Sequence, residues 1–476
     1  MTKLAEIWDA FYRRYWDEGL HRLERVSGVI LGFHSVIDGL KRGETERLEK
    51  VFGDAALGPE VARRLDNNEI PAEIESPADL LVAMIDSMRK GKALQRMIRD
   101  EPTFNWLMET FGYDLLRMGG TSGNMANSLA PLGMPLAVHA NPLTTELAEL
   151  FVDTPNLKVI CEENGKFGLI PPRQAAEGNG IRALHWIWEY PAGLKFNIAG
   201  REWTTPRANR FIAAWNPVNN QLRLQQDFRH GVPRLADRFS HFVVSGFHIL
   251  SEEYPDGSTY AECLQPVAVF LAGVRKANPA LKIHYEFASI ASARIRRGII
   301  DTILPRVDSL GLNEVELGAI LRDMGKNELA GKVENSESVA DIFRAVWLVA
   351  ELAGLKRVQL HNLGYYLCLV RPEYANPEET RAALILAATL AASRSALGYV
   401  GERRELRKGL DWPISGRGMD DLQALAVHLG QPEMSASGIG TYGGYHVVFV
   451  PTRVVSNPVL TVGLGDLISA LAFIAG

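Results

Sequence analysis

The chain has 476 residues, 47% of them hydrophobic and 22% charged, an ordinary globular composition with room for one large domain and an appendage or for two domains. A formal net charge of −5 without any dense basic run argues against a nucleic-acid surface. Three widely separated cysteines (Cys161, Cys263 and Cys368) suggest neither a disulfide framework nor a zinc site.

From the N-terminus, Leu4, Ile7, Trp8, Phe11, Tyr12 and Tyr15 mark the apolar face of a helix, not a signal peptide. Residues 26–33 form an apolar run that predicts a buried strand, ending at His34-Ser35-Val36-Ile37-Asp38-Gly39. Ligands in open α/β sheets sit at strand C-termini, so Asp38 is a substrate candidate; a turn aspartate is the alternative. Residues 40–117 read as helix-rich. Arg117-Met118-Gly119-Gly120-Thr121 then makes a glycine turn before a small-residue helix, where backbone N–H groups could approach a sugar hydroxyl.

Strand, helix and strand alternate through residues 135–161, the signal of a parallel, doubly wound sheet. Between 165 and 215 the texture changes to short aromatic-rich strands at 167–170, 184–190, 194–198 and 210–214. This predicts an antiparallel sheet inserted into the α/β body and suited to act as a lid. His185 lies in it, where a lone aromatic-flanked histidine is more often core than ligand.

The α/β rhythm resumes at 241–245, at 281–287 with His284-Tyr285-Glu286, and at 308–312 running into Asn313-Glu314-Val315-Glu316. Asn313 and Glu316 share a helix face, and with Glu286 they make an oxygen-rich cluster of the kind that holds Mg²⁺ in phosphoryl transfer. Further strands are expected at 358–361 and 447–450. Gly438-Ile439-Gly440-Thr441-Tyr442-Gly443 matches Gly-x-Gly-x-x-Gly, but no helix opens after it, so it reads as a flexible loop.

The chain closes on Thr461-Val462-Gly463-Leu464-Gly465-Asp466 and an apolar run, a glycine turn feeding a helix N-terminus, which is an anion site. A carboxylate there suits a base for an attacking hydroxyl, as phosphoryl transfer to an alcohol requires; an aspartate that merely caps a core helix is the alternative. The apolar run is short for a membrane span and carries Asp466, so a soluble, cytoplasmic protein without membrane or nucleic-acid partners is expected.

Taken together, Gly463-Leu464-Gly465-Asp466, Gly311-Leu312-Asn313-Glu314-Val315-Glu316-Leu317 and His284-Tyr285-Glu286 resemble the ADP-dependent sugar kinases, the glucokinases and phosphofructokinases. Arg117 to Gly120, Glu163-Asn164-Gly165, Asn209 to Ile212, and His361 with Gly364-Tyr365-Tyr366 resemble the glucokinase branch. The resemblance implies a ribokinase-like doubly wound sheet, mostly parallel, with helices on both faces and a smaller inserted α+β lid. The large domain would take residues 1–38, 112–180 and 212–476, and the lid about 39–111 and 181–211. It implies transfer of the β-phosphoryl group of Mg-ADP to a sugar hydroxyl, with Asp466 as base beside Gly463 and Gly465, and Glu286, Glu316 and Asp466 around the metal. Asn313, His361, Asn362, Val455, Gly465 and Arg210 would hold ADP; Asp38, Gln95, Gly120, Thr121 and His185 would meet the sugar.

The departures lie on the sugar side. The family's Asn-x-Asn-x-x-Asp run is here His34-Ser35-Val36-Ile37-Asp38, its Ser-Gly-x-Gln reads Ser245-Gly246-Phe247-His248, a glutamine is Thr121, and a lid glutamate corresponds to Gln95. Glucose or a related hexose is the first expectation for the acceptor. Fructose 6-phosphate or another sugar is the alternative, and a catalytically silent sugar- or nucleotide-binding regulator the reading of a different class. A monomer or small homo-oligomer is expected.

Overall fold

The computed structural model describes residues 3–53, 56–181, 183–198, 200–217, 219–335, 338–401, 403–459 and 463–476, so Thr461 and Val462 of the closing stretch lie outside the described residues. Among the described residues the strands form an eleven-stranded sheet, a five-stranded sheet and a two-stranded ribbon. In the large sheet, the strands Arg357–His361, Ser309–Leu312, Lys282–Glu286, His241–Val244, Val29–Gly32, Leu136–Val138 and Leu157–Glu163 lie side by side, all parallel. They are almost wholly buried because both faces are covered, and several carry buried polar residues such as His284, Arg357 and Gln359. One helical layer joins Lys3–Leu23, Thr121–Leu129, Pro377–Leu397 and Leu464–Ile474; Tyr260–Ala277, Ala293–Thr302, Glu314–Asp323 and Val339–Leu352 pack together as another.

Antiparallel strands close both edges. At one edge Lys166–Ile170 pairs with Leu157–Glu163, so it belongs to the large sheet and not to the inserted one. At the other, Tyr365–Val370, Tyr445–Pro451 and Ile439–Tyr442 follow in turn. The Gly-x-Gly-x-x-Gly stretch is therefore a hairpin strand instead of a flexible loop. Gly443 and Gly444, at φ 55° and 80°, make the two-residue turn that a right-twisted hairpin favours.

The inserted sheet is mixed, in the order Leu94–Met97, Asn209–Trp215, Leu184–Tyr190, Val36–Arg42, Leu115–Gly119. Asn209–Trp215 runs antiparallel to Leu184–Tyr190 as expected, but Val36–Arg42 joins it parallel and Leu94–Met97 adds a second parallel pair. The expected switches at 38/39 and 211/212 fall inside strands of this sheet, and Leu115–Gly119, placed in the large domain from sequence, is its edge strand. The chain switches bodies at the turns flanking each strand, because strand pairing carries through those positions without a break. One face of the sheet, with Trp186, Trp188, Phe211 and Ala213, is buried; the helix Pro77–Lys90, capped by the Ser76 hydroxyl at one end and by Gly91 at φ 60° at the other, packs on this unit.

The last helix, Leu464–Ile474, is apolar around most of its surface and packs against Pro377–Leu397 and the strands Lys282–Glu286 and Arg357–His361. Its approach depends on Gly311, where an added Cβ would collide with Ser469 of that helix and with the Glu286 carboxylate. Gly311→Ala is expected to destabilise the protein by about 1–3 kcal/mol, the usual cost of overpacking. A urea midpoint equal to that of the unsubstituted protein would show that the strand and helix do not meet this closely.

Candidate active site

The parallel strands end on one rim, and there the chemistry-bearing residues collect. Glu286 is the last residue of its strand; Asn313 follows Leu312; His361 ends Arg357–His361. Asn313 caps the next helix: its side chain accepts from Glu316 N at 3.1 Å, and Glu316 Oε2 accepts from Asn313 N at 3.0 Å. This reciprocal box holds Glu316, almost fully buried, toward the rim.

Gly463 initiates the last helix at φ 68°, a left-handed conformation that suits glycine. Its carbonyl accepts from Arg394 Nη1 at 2.6 Å, and Asn124 lies against it. Gly465 is equally constrained, since a Cβ there would stand 3.0 Å from His361 Nε2. Asp466, half-buried, completes the first turn. Burial pushes its carboxyl up to about 7 against the pull of Arg394. Burial also lifts Glu316 to about 8, with Asp466 adding to the rise. Glu286 is raised well above the carboxylate range by burial, then by Glu316, with Asp466 adding less.

Three buried or half-buried acids, two of them raised further by their neighbours, suit positive charge. One oxygen of Glu286, Oε2, is buried without a hydrogen-bond partner among the described residues, which fits a cation or its water. Among the described residues no three His, Cys, Asp or Glu side chains converge closely enough to ligate an ion directly, so the fit is to an ion held through its water shell.

The sugar-side candidates gather on the second sheet. Register puts Asp38, Arg117, His185, Arg210 and Gln95 on one face, opposite the aromatic one. Asp38 is buried, and burial pushes its carboxyl up to about 7 against Arg117 and Arg210. His185 Nδ1 stands 3.7 Å from Asp38 Oδ1, and Nε2 lies 2.7 Å from the Asn216 amide nitrogen. Gly120, at φ 74°, lets the chain turn against the His34 carbonyl, and Thr121 follows with its hydroxyl buried and unpartnered.

Two candidates stand apart from these groups. Asn362 spends its side-chain oxygen on Gly364 N and Tyr365 N at 2.9 and 2.8 Å, holding a turn. Val455 is half-buried in the segment after Tyr445–Pro451. Arg210, expected beside the nucleotide, lies on the polar face of the second sheet and acts on Asp38. Gln95 shares that face but is exposed on the edge strand, with two strands between it and Asp38.

Arg394, Asn216 and Ser245 complete the site without having been singled out in the sequence as site residues. For Arg394 a signal existed: a lone arginine inside the apolar, small-residue run 382–397 is anomalous unless it is paired. Ser245 had a signal in the Ser-Gly pair it shares with the family's sugar-side motif, whereas Asn216 carries none.

The match of this chain to known proteins spans nearly all of it. Residues 27–475 match the family described as ADP-specific Phosphofructokinase/Glucokinase conserved region. The ADP-dependent glucose/glucosamine kinase of Pyrococcus abyssi (strain GE5 / Orsay) is 35% identical over 98% of both chains. The ADP-specific phosphofructokinase of Methanosarcina acetivorans is 31% identical over 99% of this chain and 97% of its own. Among solved structures, the last common ancestor of ADP-dependent phosphofructokinases from Methanosarcinales superposes with a TM-score of 0.86 at 32% identity, covering 98% of this chain and 97% of the other. An ADP-dependent kinase in complex with fructose-6-phosphate and ADPbetaS gives 0.83 at 31%, with the same coverage. The ribokinase-like doubly wound architecture with an inserted second sheet is thus shared with these structures, and the chain belongs to the ADP-specific phosphofructokinase/glucokinase family.

Proposed function

We propose that this protein is an ADP-dependent sugar kinase that transfers the β-phosphoryl group of ADP to a sugar hydroxyl, giving AMP and a sugar phosphate. The observation that carries the reading is Asp466, a half-buried carboxylate on the first turn of a helix whose N–H groups are free, beside Arg394 and under a rim of acids. A carboxyl poised near neutrality is matched to taking a proton from an alcohol. The acceptor oxygen attacks the β-phosphorus, its proton passes to Asp466, and the bond to the α,β-bridging oxygen breaks with the electron pair leaving on AMP. The helix N-terminus stabilises the moving phosphoryl group, and Arg394 adds a fixed positive charge. Glu286, Glu316 and Asp466 are the residues that would hold Mg²⁺, which when bound neutralises phosphate charge. His361, Asn313 and Gly465 border the nucleotide side; Asp38, His185 and Gly120 dock the sugar.

A neutral hexose is the first reading for the acceptor. A sugar phosphate is the second, because Arg117 and Arg210 bring two cations to the polar face beside Asp38.

Steady-state AMP release with a panel of sugars tests the reaction: ADP should give a higher kcat/KM than ATP, and the reverse order would remove the family's defining donor. Asp466→Ala should lower kcat about 10²–10⁴-fold, the span of general-base catalysis, with ADP affinity nearly unchanged; retention of turnover within about tenfold would take the base role away from it. Asp38 carries its own pH signature. Its carboxyl is raised from 3.8 to about 7, so it enters the fold preferentially protonated, and stability falls as pH rises between those values. Asp38→Asn should therefore abolish sugar binding yet raise Tm at pH 8, by up to about 4 kcal/mol of stability, with the gain vanishing near pH 4. Equal gains at both pH values would show that Asp38 is not buried as a carboxylate.

A further inference from the structure

Between the two sheets lies a nest of imidazoles. His34 is fully buried, and its ring centre is 5.3 Å from that of His185 and 5.2 Å from that of His248. Neither ring nitrogen of His34 has a hydrogen-bond partner among the described residues. His248 Nδ1, Thr121 Oγ1, Asn216 Oδ1 and Ser245 Oγ are also buried without partners. Buried polar atoms are nearly always paired in folded proteins, so a cluster of unpaired ones around a single ring is a set of contacts awaiting a ligand.

The chain brings these atoms together at tight turns. Gly246, at φ 97°, packs on His34 Cβ, and a Cβ at Gly120 would stand 3.1 Å from His34 Nδ1. His34 is thus clamped between the turn after His241–Val244 and the turn that follows the second sheet's edge strand. It joins the large body to the sheet that carries Asp38 and His185.

The character of the nest restricts what it binds. All three imidazoles are uncharged near neutral pH, driven down by burial, with mutual repulsion adding to it for His34 and His185. The charged groups on the adjoining sheet face are Asp38, 3.7 Å from His185, and the Arg117 and Arg210 guanidinium groups that act on it. A phosphate would meet no cation on these rings, whereas sugar hydroxyls can both donate to and accept from neutral imidazole, hydroxyl and amide groups. Arg117 also faces a second space, which Asp38 lines with it. With Arg394 and Asn124 it lines a cavity of about 340 Å³, and those two residues also touch Gly463 at the helix N-terminus where the donor's phosphates belong.

We propose that His34 and His248, together with the family-type contact His185, are the residues that select the acceptor, and that they select an unphosphorylated sugar by its hydroxyls. The inference rests on the sugar-kinase reading above, and direct binding separates the two: AMP release tests the kinase, whereas sugar affinity measured without nucleotide tests the nest.

The full-length protein and three variants would be titrated calorimetrically with D-glucose, a panel of other unphosphorylated hexoses, and fructose 6-phosphate, with Tm measured for each. His34→Leu keeps the volume and removes two unsatisfied nitrogens, so it should melt at the same or a higher temperature while its affinity for the best hexose falls at least tenfold. At the half-exposed position 248, His248→Leu should also lose tenfold or more and His248→Gln, which restores a donor and an acceptor, should stay within threefold of the unsubstituted protein. Hexose affinity unchanged in both leucine variants would overturn the proposal, as would fructose 6-phosphate binding the unsubstituted protein tighter than every unphosphorylated hexose.

Discussion

Everything at the rim depends on keeping negative charge where it is poorly solvated. Glu286, Glu316 and Asp466 are each pushed up by burial, Asp466 adds to the rise of both glutamates and Glu316 to that of Glu286, and one fixed counter-charge, Arg394, reaches Asp466. Left alone, such a group of acids opposes folding. The surrounding structure compensates with close packing: a capping box fixes Glu316, a glycine at 311 lets the last helix settle over Glu286, and Pro377–Leu397 braces that helix along its length. Local instability traded for function is a common pattern at active sites.

Behind the acids a chain of uncharged and cationic groups keeps the core polar but satisfied. His284 is wholly buried between the Ser309 hydroxyl at 2.8 Å and the Ser469 hydroxyl at 2.9 Å. Arg357 donates to Ser309 at 3.1 Å and to the Ala472 carbonyl at 3.2 Å. This line ties three parallel strands to the final helix, so Asp466 on that helix and Glu286 on the central strand are held in one rigid frame. Preorganisation of that kind lets fixed charges and dipoles act on a transition state without moving.

The rhythm of apolar runs and helices revealed the parallel sheet, and the glycine turn revealed the start of the last apolar helix, because both follow from local periodicity and backbone geometry. The second sheet was read only in part. Val36–Arg42 and Leu115–Gly119 look from sequence like the ends of neighbouring elements, since their pairing partners lie far along the chain and local pattern carries no record of them. Asp38 and His185 were legible as separate candidates, but their adjacency is a matter of register. His34 and His248 were visible as unusual residues, yet nothing in the sequence could say that their rings meet. The position of Arg210 beside Asp38 was not legible for the same reason: which side of a mixed sheet an arginine faces depends on partners remote in the chain.

The parallel pairing of Ile37 with Leu184 also bears on how the molecule comes to exist. Joining positions so distant in sequence closes a very long loop, with helices and several strands of both bodies folded inside it. The entropy of closure rises only slowly with loop length, so the finished sheet is no less stable for it. The rate is another matter, because contacts of high sequence separation form late. The second sheet therefore adds strongly non-local contacts to the fold, unlike the short connection between Leu136–Val138 and its neighbour Leu157–Glu163. A nascent chain released before residue 184 would have the first strands of both bodies but no floor to its pocket.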